Sequence, residues 1–152
     1  MLRIMFWALL LGFALLHVPV ARAAGLCAAQ PNNDTLRPLP AALVPQVQQA
    51  FGLHMSAAQT QRMTVTRCMG GKLYACVAGA NLPCSKANLG TSLPAAKEWC
   101  TQKPDADYIP AYISGHDTAY NWRCQGGKAE IVPPSAALDA RGFFQQYWKP
   151  VG

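Results

Sequence analysis

The chain holds 152 residues, six cysteines and three histidines, and its 13 Lys+Arg against 7 Asp+Glu give a net charge of +6. The cations are scattered (Arg37, Arg62, Lys72, Lys97, Lys128 and Lys149) and form no run. That excludes the basic arm of a nucleic-acid binder and leaves a mild attraction for acidic partners or anionic envelope polymers. No C-x-x-C pair exists and the histidines stand at no ligand spacing, so neither a metal nor another cofactor is expected.

Arg3 and the amino terminus precede an apolar run, Ile4–Leu16. Pro19 ends it, and Ala21-Arg22-Ala23 offers the small residues of a cleavage site. A membrane anchor wants about 20 apolar residues, and His17 and Pro19 spoil the end of this run. A cleaved leader over residues 1–23 is therefore expected, with no transmembrane segment after cleavage. Residues 24–152 then suit a single domain with a moderate core. Losing Arg3 and Arg22 leaves 11 Lys+Arg against 7 acids, a net charge of +4.

All six cysteines (Cys27, Cys68, Cys76, Cys84, Cys100 and Cys124) follow the leader, and an even set in an exported chain reads as three disulfides. The same reading makes a reactive catalytic thiol unnecessary. Lipidation of Cys27 wants a small residue before it, where Leu26 stands, and would leave an odd number of thiols.

Cys27–Pro40, rich in Pro, Asn and Asp, reads as an extended lead-in tied down by Cys27. Leu43, Val47 and Phe51 recur every four residues, predicting a helix over Pro45–Phe51 that Gly52 stops. Next comes "RCMGGK" at Arg67–Lys72, nearly repeated as "RCQGGK" at Arg123–Lys128. Each glycine pair, set between β-branched and apolar stretches, predicts a hairpin tip with positive φ at both glycines. The repeat is then explained by backbone geometry without a ligand.

Centring each loop on its glycines fixes a register. Cys68 faces Leu73, with Ala75 and Val77 on the same side, while Cys76 lies opposite with Arg67 and Tyr74. In the second hairpin Tyr120, Trp122 and Cys124 share an apolar face, and Arg123 meets Glu130 on the watery side. Cys68 and Cys76 cannot bond from opposite faces. Cys76 is expected to pair with Cys84 or Cys100.

Leu93–Lys103 reads as a second helix with Ala96, Trp99 and Cys100 on its inner face. Asp107–Ser114 reads as an edge strand interrupted at Pro110, and Ser114–Tyr120 as a turn. Phe143, Phe144, Tyr147 and Trp148 suggest a closing helix capped by Asp139 and ended by Pro150. The outline is an α+β fold: a small antiparallel sheet of β-hairpins with short packing helices, stapled by disulfides.

Chemistry is sparse. Ser114-Gly115-His116-Asp117 offers a nucleophile and a base on paper, but no nucleophile elbow surrounds Ser114, and Asp117 and Gly115 suit a polar turn. Asp105 and Asp107 form an acidic pair without calcium-loop spacing. Trp99, Trp122 and Trp148 fall on inner faces, which favours core over a saccharide platform. Tyr74, placed by the register on the outer side beside Arg67 and Lys72, is an exposed contact candidate.

"RCMGGKLYACVAGANLPC", "SGHDTAYNWRCQGGKAEI" and "LDARGFFQQYW" resemble a family of small exported bacterial proteins of unassigned function, over about Thr64–Lys149. The resemblance implies a periplasmic or secreted location and brings no catalytic residues. A weaker likeness is to periplasmic lysozyme inhibitors, whose Y-x-C-x-x-G strand and turn is similar to "NWRCQGG". Their cleft-blocking S-G-x-x-Y loop corresponds here to "SGHDTAY", which has two extra residues between Ser114 and Tyr120.

The reading that emerges is a non-enzymatic binding or inhibitor module of the bacterial envelope. Its partner would be an envelope protein or an anionic polymer. Its contact residues would be Arg67, Lys72, Tyr74 and Lys128 at the hairpins, with Ser114 and His116 in the turn. A small periplasmic hydrolase centred on His116 and a structural envelope component are the alternatives.

Overall fold

Two glycine pairs set the architecture. Gly70 and Gly71 have φ of 58° and 74°, and Gly126 and Gly127 have φ of 56° and 76°, the signature of a tight hairpin turn that keeps the natural strand twist. The computed structural model describes residues 23–79, 82–133 and 135–152. The leader expected over residues 1–23 lies, apart from Ala23, outside the described residues.

A short helix α1 (Ala23–Leu26) leads to β1 (Asn33–Pro38), then α2 (Val44–Phe51) and α3 (Ala57–Met63). The first hairpin is β2 (Thr64–Met69) and β3 (Lys72–Val77). After a long loop come α4 (Lys97–Gln102) and α5 (Ala111–Ser114), then the second hairpin, β4 (Asn121–Gln125) and β5 (Lys128–Val132). A last strand β6 (Lys149–Pro150) closes the chain. β1-β2-β3-β6 form a four-stranded antiparallel sheet and β4-β5 a two-stranded one. The fold is α+β as expected, and both hairpin registers are as read: Cys68 opposes Leu73, Arg67 opposes Tyr74, Cys124 opposes Ala129 and Trp122 opposes Ile131.

α2 begins with Pro45 in its first turn and ends on Gly52 at φ 63°, close to the expected span. The expected Leu93–Lys103 helix is a 3-10 turn, Pro94–Ala96, running into α4. α3 was not foreseen. Ser56 caps it, its hydroxyl accepting from the Gln59 N–H (3.2 Å) while the Gln59 side chain accepts from the Ser56 N–H (3.1 Å), a reciprocal capping box.

Two expectations are corrected. Asp107–Ser114 is not one strand: residues 106–109 run beside β4, where Ile109 N–H donates to Trp122 O (2.7 Å) and Cys124 N–H donates to Ala106 O (2.8 Å). Pro110 then turns the chain into α5 as its N-cap, with extended backbone that its fixed φ allows. The closing helix over Phe143–Trp148 is absent. Asp139 Oδ1 instead accepts from the N–H of Arg141 (2.8 Å) and Phe143 (3.1 Å), and Gly142 takes φ 85°. This turn leaves one 3-10 turn, Gln145–Tyr147. Phe143 and Phe144 bridge to Lys86 and Leu138 respectively. The aromatic spacing reflects burial from two sides rather than a helical face.

The sheet has a core on each face. Leu39, Leu43, Val44, Val47, Leu73 and Ala75 fill one, and Cys76, Cys84, Phe143 and Trp148 with Val65 and Tyr74 fill the other. A third cluster joins α4 to the second hairpin through Ala96, Ile109 and Trp122. All six cysteines pair, as Cys27–Cys68, Cys76–Cys84 and Cys100–Cys124. Cys76 thus bonds Cys84, one of its two expected partners. Among the described residues no helix is long and apolar enough to cross a membrane.

The hexapeptide repeat proves to be the visible end of a larger repeated unit. "CAAQPNND" (Cys27–Asp34) and "CTQKPDAD" (Cys100–Asp107) share Cys, Pro, an Asx and Asp at equal spacing. In the first, Pro31 O and Asn32 Oδ1 accept from the Gly71 and Gly70 N–H groups at 3.0 and 2.9 Å. In the second, Pro104 O and Asp105 Oδ1 accept from Gly127 and Gly126 at 3.0 and 3.1 Å. Asn33 pairs with Cys68 as Ala106 does with Cys124, and each leading cysteine bonds the cysteine of its own hairpin. Both tips therefore have their amides taken up internally. The repeat is construction, and neither tip is left as an anion nest.

Candidate functional site

Each copy of this unit ends in an aspartate, and the two have different surroundings. Asp34 accepts from Arg141 Nε (2.8 Å) and Lys86 Nζ (2.7 Å). The hydrogen bond from Arg141, followed by that from Lys86, holds its carboxyl at about 2, below the ordinary 3.8. Asp34 in turn raises the Arg141 guanidinium. Asp107 has no such partner among the described residues. It is exposed and stands at the mouth of a groove of about 840 Å³.

This groove is built by the segment whose sequence pattern reads as an edge strand. Residues 106–109 lie along β4, which sends Asp107 and Tyr108 outward while Ile109 is buried. Pro110 and α5 then carry Tyr112 and Ser114 to the opposite wall. Gly115, at φ 90°, turns the chain where a side chain would be strained and would meet Asp117 Oδ1. Asn88 pins the returning loop: its N–H donates to Asp117 O (2.7 Å) and its carbonyl accepts from Ala119 N–H (2.9 Å). Thr118 Oγ1 then accepts from Trp122 Nε1 (3.1 Å), locking the indole that forms the floor.

Tyrosines dominate the rim. Tyr108 and Tyr112 are 69% and 73% exposed, and Tyr120 and Tyr147 line the inner wall. Ser114 and His116 both line the groove, so the structure brings together two residues singled out in the sequence. Among the described residues neither side chain makes a hydrogen bond, to the other or elsewhere. The Ser–His contact that a nucleophile needs is not formed. Nor does any group of three His, Cys, Asp or Glu among the described residues converge as metal ligands.

The hairpin candidates fare differently. Arg67 is corrected outright: it is 1% exposed and belongs to no contact surface. Its guanidinium is ion-paired with Asp139 and lies 4.0 Å from the Phe143 ring centroid and 4.5 Å from that of Trp148. The outer side of the hairpin is the second core. Tyr74, on the same face and opposed to Pro150 of β6, is half-buried there rather than exposed. Lys72 and Lys128 are exposed at the two tips, away from the groove lining.

The groove residues that the sequence reading does not include are Tyr108 and Tyr112, while Asp107 enters it only as half of an acidic pair. A signal existed for Tyr108: in "DYIPAY" it precedes Ile109 on an extended segment, so it turns out once Ile109 turns inward, whereas Tyr112 lies beyond Pro110 on α5, out of reach of that alternation. Comparison with protein-family models, with curated proteins and with solved structures yields no match to this chain.

Proposed function

We propose that this protein is an exported, non-catalytic binding domain of the bacterial envelope, periplasmic or secreted, and that it holds its partner in the tyrosine-rimmed groove. The carrying observation is the groove itself, in which exposed tyrosine rings gather with Asp107, Ser114 and His116, whose side chains make no hydrogen bond among the described residues. Concave sites with an apolar lining and a few polar groups are where ligands bind. Three disulfides suit an oxidising compartment, and the apolar, cleavable-looking amino terminus supports export. The likeness to small exported bacterial proteins points the same way.

A photo-crosslinking amino acid at position 112, in the chain expressed in its native envelope, tests this reading. An adduct from position 112 and none from position 36, on an exposed part of β1, is the expected result. Equal labelling from both positions, or none from either, favours a structural envelope component instead.

A further inference from the structure

We infer that the groove takes a run of uncharged sugar rings, a glycan chain; this deepens the binding-domain reading and rests on it. Charge is the first argument. Among the described residues no Lys or Arg lines the groove, whose ionisable side chains besides tyrosine are Asp107 and His116. A phosphate- or carboxylate-bearing polymer would meet Asp107 with no cation to offset it, so the anionic polymer expected from net charge does not fit here.

The second argument is the rings. Tyr108 and Tyr112 expose most of their surface on either side of Pro110, and Tyr112 is braced edge-on by Trp99, centroids 6.1 Å apart at 86°. On the floor, Tyr120 and Trp122 meet edge-on at 6.2 Å and 89°. Tyr112 and Tyr120, held in this way, present flat apolar faces with little further loss of side-chain freedom on binding, while Trp122, 5% exposed, braces Tyr120 from within. The C–H faces of pyranose rings match such faces, and their hydroxyls match polar groups that both donate and accept.

Those groups are present. Asp107, Ser114 and His116 have no side-chain hydrogen bond among the described residues, so their capacity is open to a ligand. The repeated unit sharpens the point: the equivalent of Asp107 in the first copy, Asp34, is consumed by two cations. An extended peptide adding to β4 is disfavoured because residues 106–109 already cover that edge.

The test titrates the oxidised protein with tetramers of N-acetylglucosamine and of glucose by calorimetry, and co-sediments it with the corresponding insoluble polymers. Saturable binding to one of them is expected, weakened about tenfold by Tyr112→Ala or Tyr108→Ala. It should be unmoved by Lys72→Glu with Lys128→Glu, and should change less than about twofold with added salt. These positions are all exposed, and unchanged melting temperatures confirm that the variants fold. Binding that survives the tyrosine changes, or that collapses on charge reversal at Lys72 and Lys128, overturns the assignment. No glycan binding together with a protein adduct from position 112 overturns the glycan and spares the binding groove. No glycan binding and no adduct overturns both.

Discussion

Asp139 holds three groups at once: the Arg67 guanidinium through one oxygen, and the N–H groups of Arg141 and Phe143 through the other. Arg67 is fully buried against two aromatic rings, so removing its counter-ion strands a charge in a medium where charges are costly. Asp139→Ala should destabilise the protein by about 3–5 kcal/mol in chemical denaturation. Arg123 occupies the same place in the other hexapeptide, but its pair with Glu130 is 3.4 Å long and both side chains are nearly half exposed. Arg123→Ala should change stability by no more than about 1 kcal/mol. Two nearly identical hexapeptides thus give opposite outcomes, and equal costs at the two sites would contradict the burial argument.

Asp34 belongs to the same scale. Its carboxyl titrates lower in the folded chain, at about 2 against an ordinary 3.8, so its contribution is complete above the unfolded value and disappears as pH falls through the folded one. The stability difference between the native protein and Asp34→Asn should be constant above about pH 5 and shrink towards zero near pH 2. Because Lys86 and Arg141 are substantially exposed, the plateau should be only about 0.2–1 kcal/mol for each pair, smaller still in high salt.

Hairpin tips and clasps are the units at the level of elements. Gly126 at φ 56° is in a region that costs other residues about 1–2 kcal/mol, so Gly126→Ala should lower stability by that amount with the groove intact. Asp105→Ala removes the acceptor of the Gly126 N–H and should cost about 0.5–1 kcal/mol. The disulfides close loops of unequal length, with separations of 41, 8 and 24 residues. By chain entropy they contribute about 4, 2.5 and 3.5 kcal/mol for Cys27–Cys68, Cys76–Cys84 and Cys100–Cys124 respectively. Paired Cys→Ala variants ranked by denaturant midpoint should follow that order.

Across the whole molecule, three strings singled out in the sequence acquire a structural meaning. Asp139 and Arg141 of "DARGF" anchor Arg67 and Asp34, and Cys84 of "GANLPC" bonds Cys76 beneath Phe143 and Trp148. They fasten a cover over the second face of the sheet. "SGHDTAY" is different, since it edges the groove. Non-reducing peptide mapping should return the three stated disulfides and no free thiol. Reduction should unfold the chain and abolish groove crosslinking together, as expected if one set of clasps holds both sheets.

Local chemistry was enough for some of this. Paired glycines permit one turn geometry, that turn dictates register, and register alone put Cys68 and Cys76 on opposite faces and Trp122 inside. α3 is equally legible in the Ser56–Gln59 capping pair. Other features depended on residues far apart in the chain. Whether an arginine of "RC-x-GGK" is buried depends on Asp139, 72 positions away. Whether Phe143–Trp148 coils into a helix was decided by the facing sheet and by Lys86, and the groove arose only when residues 106–109 paired with β4. A sequence determines what its neighbours along the chain can enforce within a turn; burial and concavity are set by surfaces that meet only after folding.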